Sequence, residues 1–84
     1  KTPAVTFYLG EIAYLHKDYH LAIKYYKTSV ALSDSGAYMP TLLLHTALCF
    51  KGIKDMPNYN SFLEVLIATY PQSKEAAQAK ELKQ

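Results

Sequence analysis

Four stretches of this chain repeat apolar residues at steps of three and four, and short runs of turn-forming residues separate them. That period belongs to amphipathic helices, and no stretch alternates at the period of two that a half-buried strand requires. From Ala4 to His16, the residues Val5, Leu9, Ile12 and Ala13 mark a first helix that breaks at Lys17-Asp18. Asp18 suits the N-cap of a second helix, whose stripe is Tyr19, Ala22, Ile23, Tyr26 and Val30 and whose end is expected near Leu32. Ser33-Asp34-Ser35-Gly36 forms a turn cluster, and Pro40 fits the first turn of a third helix that runs to Lys51. Gly52 is placed to close that helix in a left-handed conformation. Tyr59, Phe62, Leu63, Leu66 and Ile67 make the stripe of a fourth helix, which ends at Tyr70-Pro71. Ser73 then caps a fifth, alanine-rich helix with Glu75 in its positive first turn.

Five helices on short loops predict an all-α fold of two antiparallel helix pairs and a C-terminal capping helix. The chain of 84 residues reads as a single domain, with a first unit at about 4–34, a second at about 38–71 and the cap at 73–83. Aligning Leu9-Gly10 with Thr46-Ala47 superposes the two units at an offset of 37, with the surplus over a shorter repeat placed at Ala37-Tyr38-Met39. Leu9, Gly10, Ala22 and Tyr26 are the expected structural positions of the first unit; Ala47, Phe50, Leu63 and Pro71 are those of the second. Gly10 is expected to let the first helix approach the small Ala22 face of the second, at a propensity cost of about 1 kcal/mol. Tyr59 falls where a small residue is expected, and a fourth helix that begins late, near Asn58, would account for it. A chain this short buries only about 60 to 65% of the surface its unfolded form exposes, so its stability should be modest.

Chemistry is excluded more sharply than binding. Half of the residues are apolar and 19% are charged, which suits a folded chain. The net charge of +2 is spread without a basic run, and the absence of arginine argues against nucleic acid as a partner. No apolar run is long enough for direct membrane insertion. The single cysteine, Cys49, sits in an apolar stretch and reads as a small core residue. His16, Asp18 and His20 flank a helix break without sharing a face, so no metal is expected, and no cofactor motif is present. No nucleophile, base and orienting acid can be assembled, so the chain does not read as an enzyme. His45 is expected to make one hydrogen bond.

The spacings resemble the tetratricopeptide repeat, which wants a large residue, then Leu-Gly and an aromatic on its first helix, and a small residue followed by an aromatic on its second, at a period of about 34. At a finer level, Phe7-Tyr8-Leu9-Gly10-Glu11-Ile12, Met39-Pro40-Thr41-Leu42-Leu43-Leu44 and Tyr70-Pro71-Gln72-Ser73 resemble the C-terminal repeat domain of the CpoB/YbgF family of periplasmic Tol-Pal system proteins. That resemblance implies a scaffold bound to TolA and to the septal peptidoglycan synthesis machinery, coordinating outer-membrane constriction with wall synthesis during cell division. It also implies an upstream repeat, a homo-oligomer formed through an N-terminal coiled coil, and a periplasmic location. Thr2-Pro3 resembles the start of a repeat, so Lys1 is expected to mark a cut within an inter-repeat turn of a longer chain. The Tyr-Pro-x-Ser ending is shared with outer-membrane assembly lipoproteins of the BamD type, which is the alternative; a regulatory domain of a peptidoglycan-active enzyme is another.

In a stack of such pairs the first helix of each unit lines a concave groove. One turn away from the packing stripe, Phe7, Glu11 and Tyr14 of the first helix and Thr41, Leu44, Leu48 and Lys51 of the third are the partner-binding candidates. These residues suit an amphipathic helix or an extended apolar peptide better than an acidic tail. Packing of Phe7, Leu44 and Leu48 on a neighbouring repeat is the competing explanation.

Overall fold

The computed structural model describes residues 2–83, so the expectation for Lys1 lies outside the described residues. Helix α1 spans Pro3–Leu15, α2 Tyr19–Leu32, α3 Met39–Gly52, α4 Met56–Thr69 and α5 Lys74–Leu82, with no strand among those residues. Four of the five starts are fixed by side-chain caps: Thr2, Asp18, Asp55 and Ser73 each accept a hydrogen bond from the backbone N–H three residues on. Pro3, Pro40 and Pro57 occupy first turns, where the missing N–H leaves no gap in the ladder.

The turns inside the two pairs are copies of each other. After α1, Lys17 takes a left-handed φ of 61°, its N–H donates to the Tyr14 carbonyl, and the Asp18 N–H donates to the Ala13 carbonyl. After α3, Lys54 takes a φ of 64°, with Lys54 N–H on the Lys51 carbonyl and Asp55 N–H on the Phe50 carbonyl. Each is a Schellman ending whose left-handed residue is a lysine and whose next residue caps the following helix. Two expectations fail here. Gly52 does not close α3 in a left-handed conformation, because it is the last helical residue and Lys54 takes the positive φ. Nor does α4 begin late: Asp55 caps it and it starts at Met56, so Tyr59 is buried inside a helix already formed.

Within each pair the helices pack antiparallel; between pairs, α2 lies on α3 and α4 on α5. The first helices also touch, α1 against α3 and α3 against α5, whereas α2 and α4 do not reach one another. Closer spacing of α1, α3 and α5 curves the stack, with these three helices on its inner side. Tyr26, Leu42, Leu63 and Leu66 are among the fully buried residues of one continuous core. Gly10 is required there for a different reason from the expected one. A Cβ at this position would stand 2.6 Å from the Tyr26 ring, so the glycine makes room for a tyrosine rather than for Ala22. Gly52 does the same for Tyr19, whose ring would be 2.5 Å from its Cβ.

One stripe points away from this core. Val5 and Ile12 are 46% and 55% exposed, and α1 is buried instead through Thr6, Phe7, Gly10 and Ala13. The residues 37 positions later, Leu42 and Cys49, are buried where α2 lies on α3. Being at the end of the stack, α1 has no helix in the place that α2 takes on α3.

Candidate functional site

Successive turns of α3 organise the inner face. Thr41 and His45 stand one turn apart on one side of the helix, and each holds a glutamate from a flanking helix. The Thr41 hydroxyl donates to Glu75 Oε2 of α5 at 2.8 Å, and His45 Nδ1 lies 2.6 Å from Glu11 Oε1 of α1. A carboxylate only accepts, so the histidine nitrogen facing Glu11 carries the proton. The phenol of Tyr26, reaching in from α2, donates to the same Glu11 oxygen. Three helices therefore converge on one carboxylate. The ring of Tyr14 stacks on His45, with centroids 4.3 Å apart and planes 10° from parallel, and so fixes the imidazole from its face.

This geometry sets the protonation states. Burial alone would raise the Glu11 carboxyl, but hydrogen bonds from His45 and Tyr26 and the attraction of the histidine hold it below the usual glutamate value of 4.5. Burial, reinforced by the bond to Glu11 and its charge, pushes the Tyr26 phenol far above the ordinary tyrosine range, so it stays a donor. Burial also raises Tyr14. Cys49 is a buried free thiol pushed up to about 12 by burial and by the Glu11 charge, which makes it an inert core residue. Among the described residues no group of three or more His, Cys, Asp or Glu side chains is placed to hold a metal, and the Asp18 carboxylate is engaged as the cap of α2.

The inner face keeps part of the expected set and loses part. Glu11, Tyr14, Thr41 and Leu48 are half-buried on it. Phe7 is only 5% exposed because the loop before α3 folds Tyr38 over it, the two rings stacking at 4.5 Å. Leu44 is 6% exposed and belongs to the core cluster. Neither is open to a partner. Lys51 is exposed, but its ammonium lies 5.5 Å from the centroid of the Tyr59 ring and is drawn toward α4, away from the inner face. Two residues of the site were not expected from the sequence in this role: Glu75, on the helix assigned as a cap, and the Tyr26 hydroxyl, assigned to the core. The i, i+4 pair Thr41 and His45 was the available signal, since both are polar positions one turn apart on one face of a mostly apolar helix.

Residues 41–73, from the second turn of α3 to the cap of α5, match the family model of the tetratricopeptide repeat. The chain carries a tetratricopeptide repeat. With the architecture above, it is an all-α tetratricopeptide-like fold of two antiparallel pairs and a capping helix. Ala47, Phe50 and Leu63 are buried in the second unit, Phe50 stacking on Phe62 at 5.4 Å, while Pro71 is exposed just beyond α4. In the first unit, Gly10, Ala22 and Tyr26 are buried and Leu9 is half-buried. Tetratricopeptide repeats are protein-binding scaffolds, and that coarse function applies to this repeat. No match was found among curated proteins or among solved structures.

Proposed function

We propose that this chain is an interaction scaffold of the bacterial cell envelope, associated with the Tol-Pal system, and that its inner face holds a TolA-like protein partner in the periplasm. In that role it helps coordinate outer-membrane constriction with septal peptidoglycan synthesis during cell division. The observation that carries the binding reading is the fixed polar row on α3, where Thr41 and His45 each hold a glutamate by one oxygen. The other oxygen of each carboxylate has no hydrogen bond to the described residues, so it remains an acceptor for a partner's N–H or O–H groups. Tyr14 and the half-buried Leu48 add apolar area beside that row. Such a surface suits a helix or an extended segment with a few apolar anchors and hydrogen-bond donors. The cellular assignment is supported by the three segments that resemble the CpoB/YbgF family.

Calorimetric titration of TolA-derived fragments against the wild-type chain, Tyr14→Ala and Glu11→Lys tests both parts. The expected result is measurable binding by the wild type and a loss of tenfold or more in each variant, with helicity checked by circular dichroism. Unchanged binding by both variants would remove the inner face as the site. Failure of every fragment to bind the wild type would remove the Tol-Pal assignment.

A further inference from the structure

The gap between the two outer helices holds a cavity. Helices α2 and α4 do not reach one another, which leaves space above the stretch of α3 that lies between them. That space measures about 150 Å³ and is lined by Leu42 and Thr46 of α3, by Tyr26, Lys27 and Val30 of α2, and by Phe62 of α4. Leu42, Thr46 and Tyr26 are at most 2% exposed, Val30 and Phe62 are half-buried and Lys27 is exposed, so the cavity runs from the core to a mouth at the surface. Its polar atoms are already committed. The Thr46 hydroxyl donates to the Leu42 carbonyl at 2.7 Å, one turn back on its own helix, and the Tyr26 phenol turns to Glu11 on the inner face. A buried water needs about two to four polar partners, which these walls do not supply, whereas a cavity of about 150 Å³ lined by apolar side chains stays dry and takes up benzene. One charge borders the space. Lys27 lines it and no carboxylate does, and among the described residues the Lys27 ammonium makes no ion pair.

We infer that this cavity binds a small arylalkanoate, a molecule with one aromatic ring on a short chain that ends in a carboxylate. The ring suits both the volume and the apolar walls, and Phe62, itself stacked on Phe50, offers it an aromatic neighbour. A single ring is also the limit, because pockets for larger ligands enclose about 300 to 1,000 Å³. The carboxylate follows from the mouth. A lysine lays its aliphatic stem along apolar surface and keeps its ammonium in water, so Lys27 sets a cation where the polar end of a seated ligand emerges. With no acid in the lining to compete for that cation, an anionic head is favoured over a neutral or cationic one. The site is distinct from the inner face: Glu11, Tyr14, Thr41 and His45 do not line it, and Tyr26 alone serves both, with its ring as a cavity wall and its hydroxyl on Glu11.

Titration of the chain with phenylacetate, carried to tens of millimolar and followed by methyl NMR, tests this. The expected result is saturable shifts at Val30, Leu42 and Thr46, with none at Val5 or Ile12 on α1. Lys27→Gln should weaken phenylacetate by about two- to fivefold, the scale of one solvent-exposed ion pair, and leave the neutral phenylacetamide unchanged. Val30→Phe, which fills the cavity, should abolish binding of both compounds while keeping the helical spectrum and raising the thermal midpoint. Lys80→Gln, at an exposed lysine of α5, should change nothing. Absence of saturable shifts at the three lining residues overturns the inference. So does phenylacetamide that binds the wild type as tightly as the acid. Tighter binding of N-acetylphenylalaninamide than of phenylacetate overturns it as well, and assigns the cavity to an aromatic side chain of a protein partner. Peptide binding at the inner face is read separately, since none of these substitutions touches Glu11, Tyr14 or Thr41.

Discussion

Replacing Gly10 by alanine sets helix propensity against packing, and the structure decides which prevails. At an exposed helical site the change stabilises by about 1 kcal/mol, because alanine loses less backbone freedom on folding. Here the added methyl would stand 2.6 and 2.7 Å from two carbons of the Tyr26 ring. That ring is 1% exposed and its hydroxyl is tied to Glu11, so it can move aside only by giving up that bond. Overpacking of this kind costs about 1 to 3 kcal/mol. If the ring yields instead, a hydrogen bond to a charged group worth about 1.5 to 3 kcal/mol is lost. Set against the propensity gain, either route leaves a net destabilisation of up to about 2 kcal/mol, with a thermal midpoint lower by about 4 to 8 °C per kcal/mol for a domain of this size. Urea and thermal unfolding followed by circular dichroism measure it. The two routes separate in a double-mutant cycle, because Tyr26→Phe should cost about 1.5 to 3 kcal/mol less in the Gly10→Ala background if the ring has already let go of Glu11. A Gly10→Ala chain more stable than the wild type would refute the reasoning.

Two further outcomes follow from the turns and from the carboxylate. Lys17→Gly and Lys54→Gly relieve left-handed lysines at the two Schellman endings, so each should raise stability by up to about 1 kcal/mol, and the effects should add in denaturant midpoints. The folded pKa of Glu11 lies below its unfolded value, so the stability it adds is fully present above pH 4.5 and is lost as pH falls through the folded value. Urea midpoints measured from pH 7 to pH 3 should therefore fall less steeply in Glu11→Gln than in the wild type, and parallel curves would show that the site is not linked to folding in this way.

Local order was legible in the residues themselves. Apolar steps of three and four, Asp18 and Ser73 as caps, and Pro40 in a first turn gave the number, order and approximate limits of the helices, because each signal acts within one or two turns of chain. The repeated Lys-Asp pair at positions 17–18 and 54–55 also lay in plain view, although its meaning as a left-handed ending was assigned to Gly52. Glycine is the usual residue there, but a lysine followed by a capping aspartate does the same work at a modest strain. Of the inner-face candidates, Glu11, Tyr14 and Thr41 were found from helical geometry alone, since angle around a helix axis depends only on position.

What one helix cannot specify is what stands opposite it. Phe7 and Leu44 have the right angle for the inner face and are nevertheless closed off, Phe7 by Tyr38 from a loop and Leu44 within the core. Val5 and Ile12 have the pattern of core residues and are exposed, because burial depends on whether a neighbouring helix is there to cover them. Gly10 was recognisably a close-contact position, but only the packed structure shows that the contact is the Tyr26 ring. The convergence of Tyr26, His45 and Glu11, like that of Thr41 and Glu75, joins residues 15 to 34 positions apart. The helical content and repeat were therefore set by short-range stereochemistry written along the chain, whereas the polar row of the inner face and the uncovered end of the stack were decided by which helices meet.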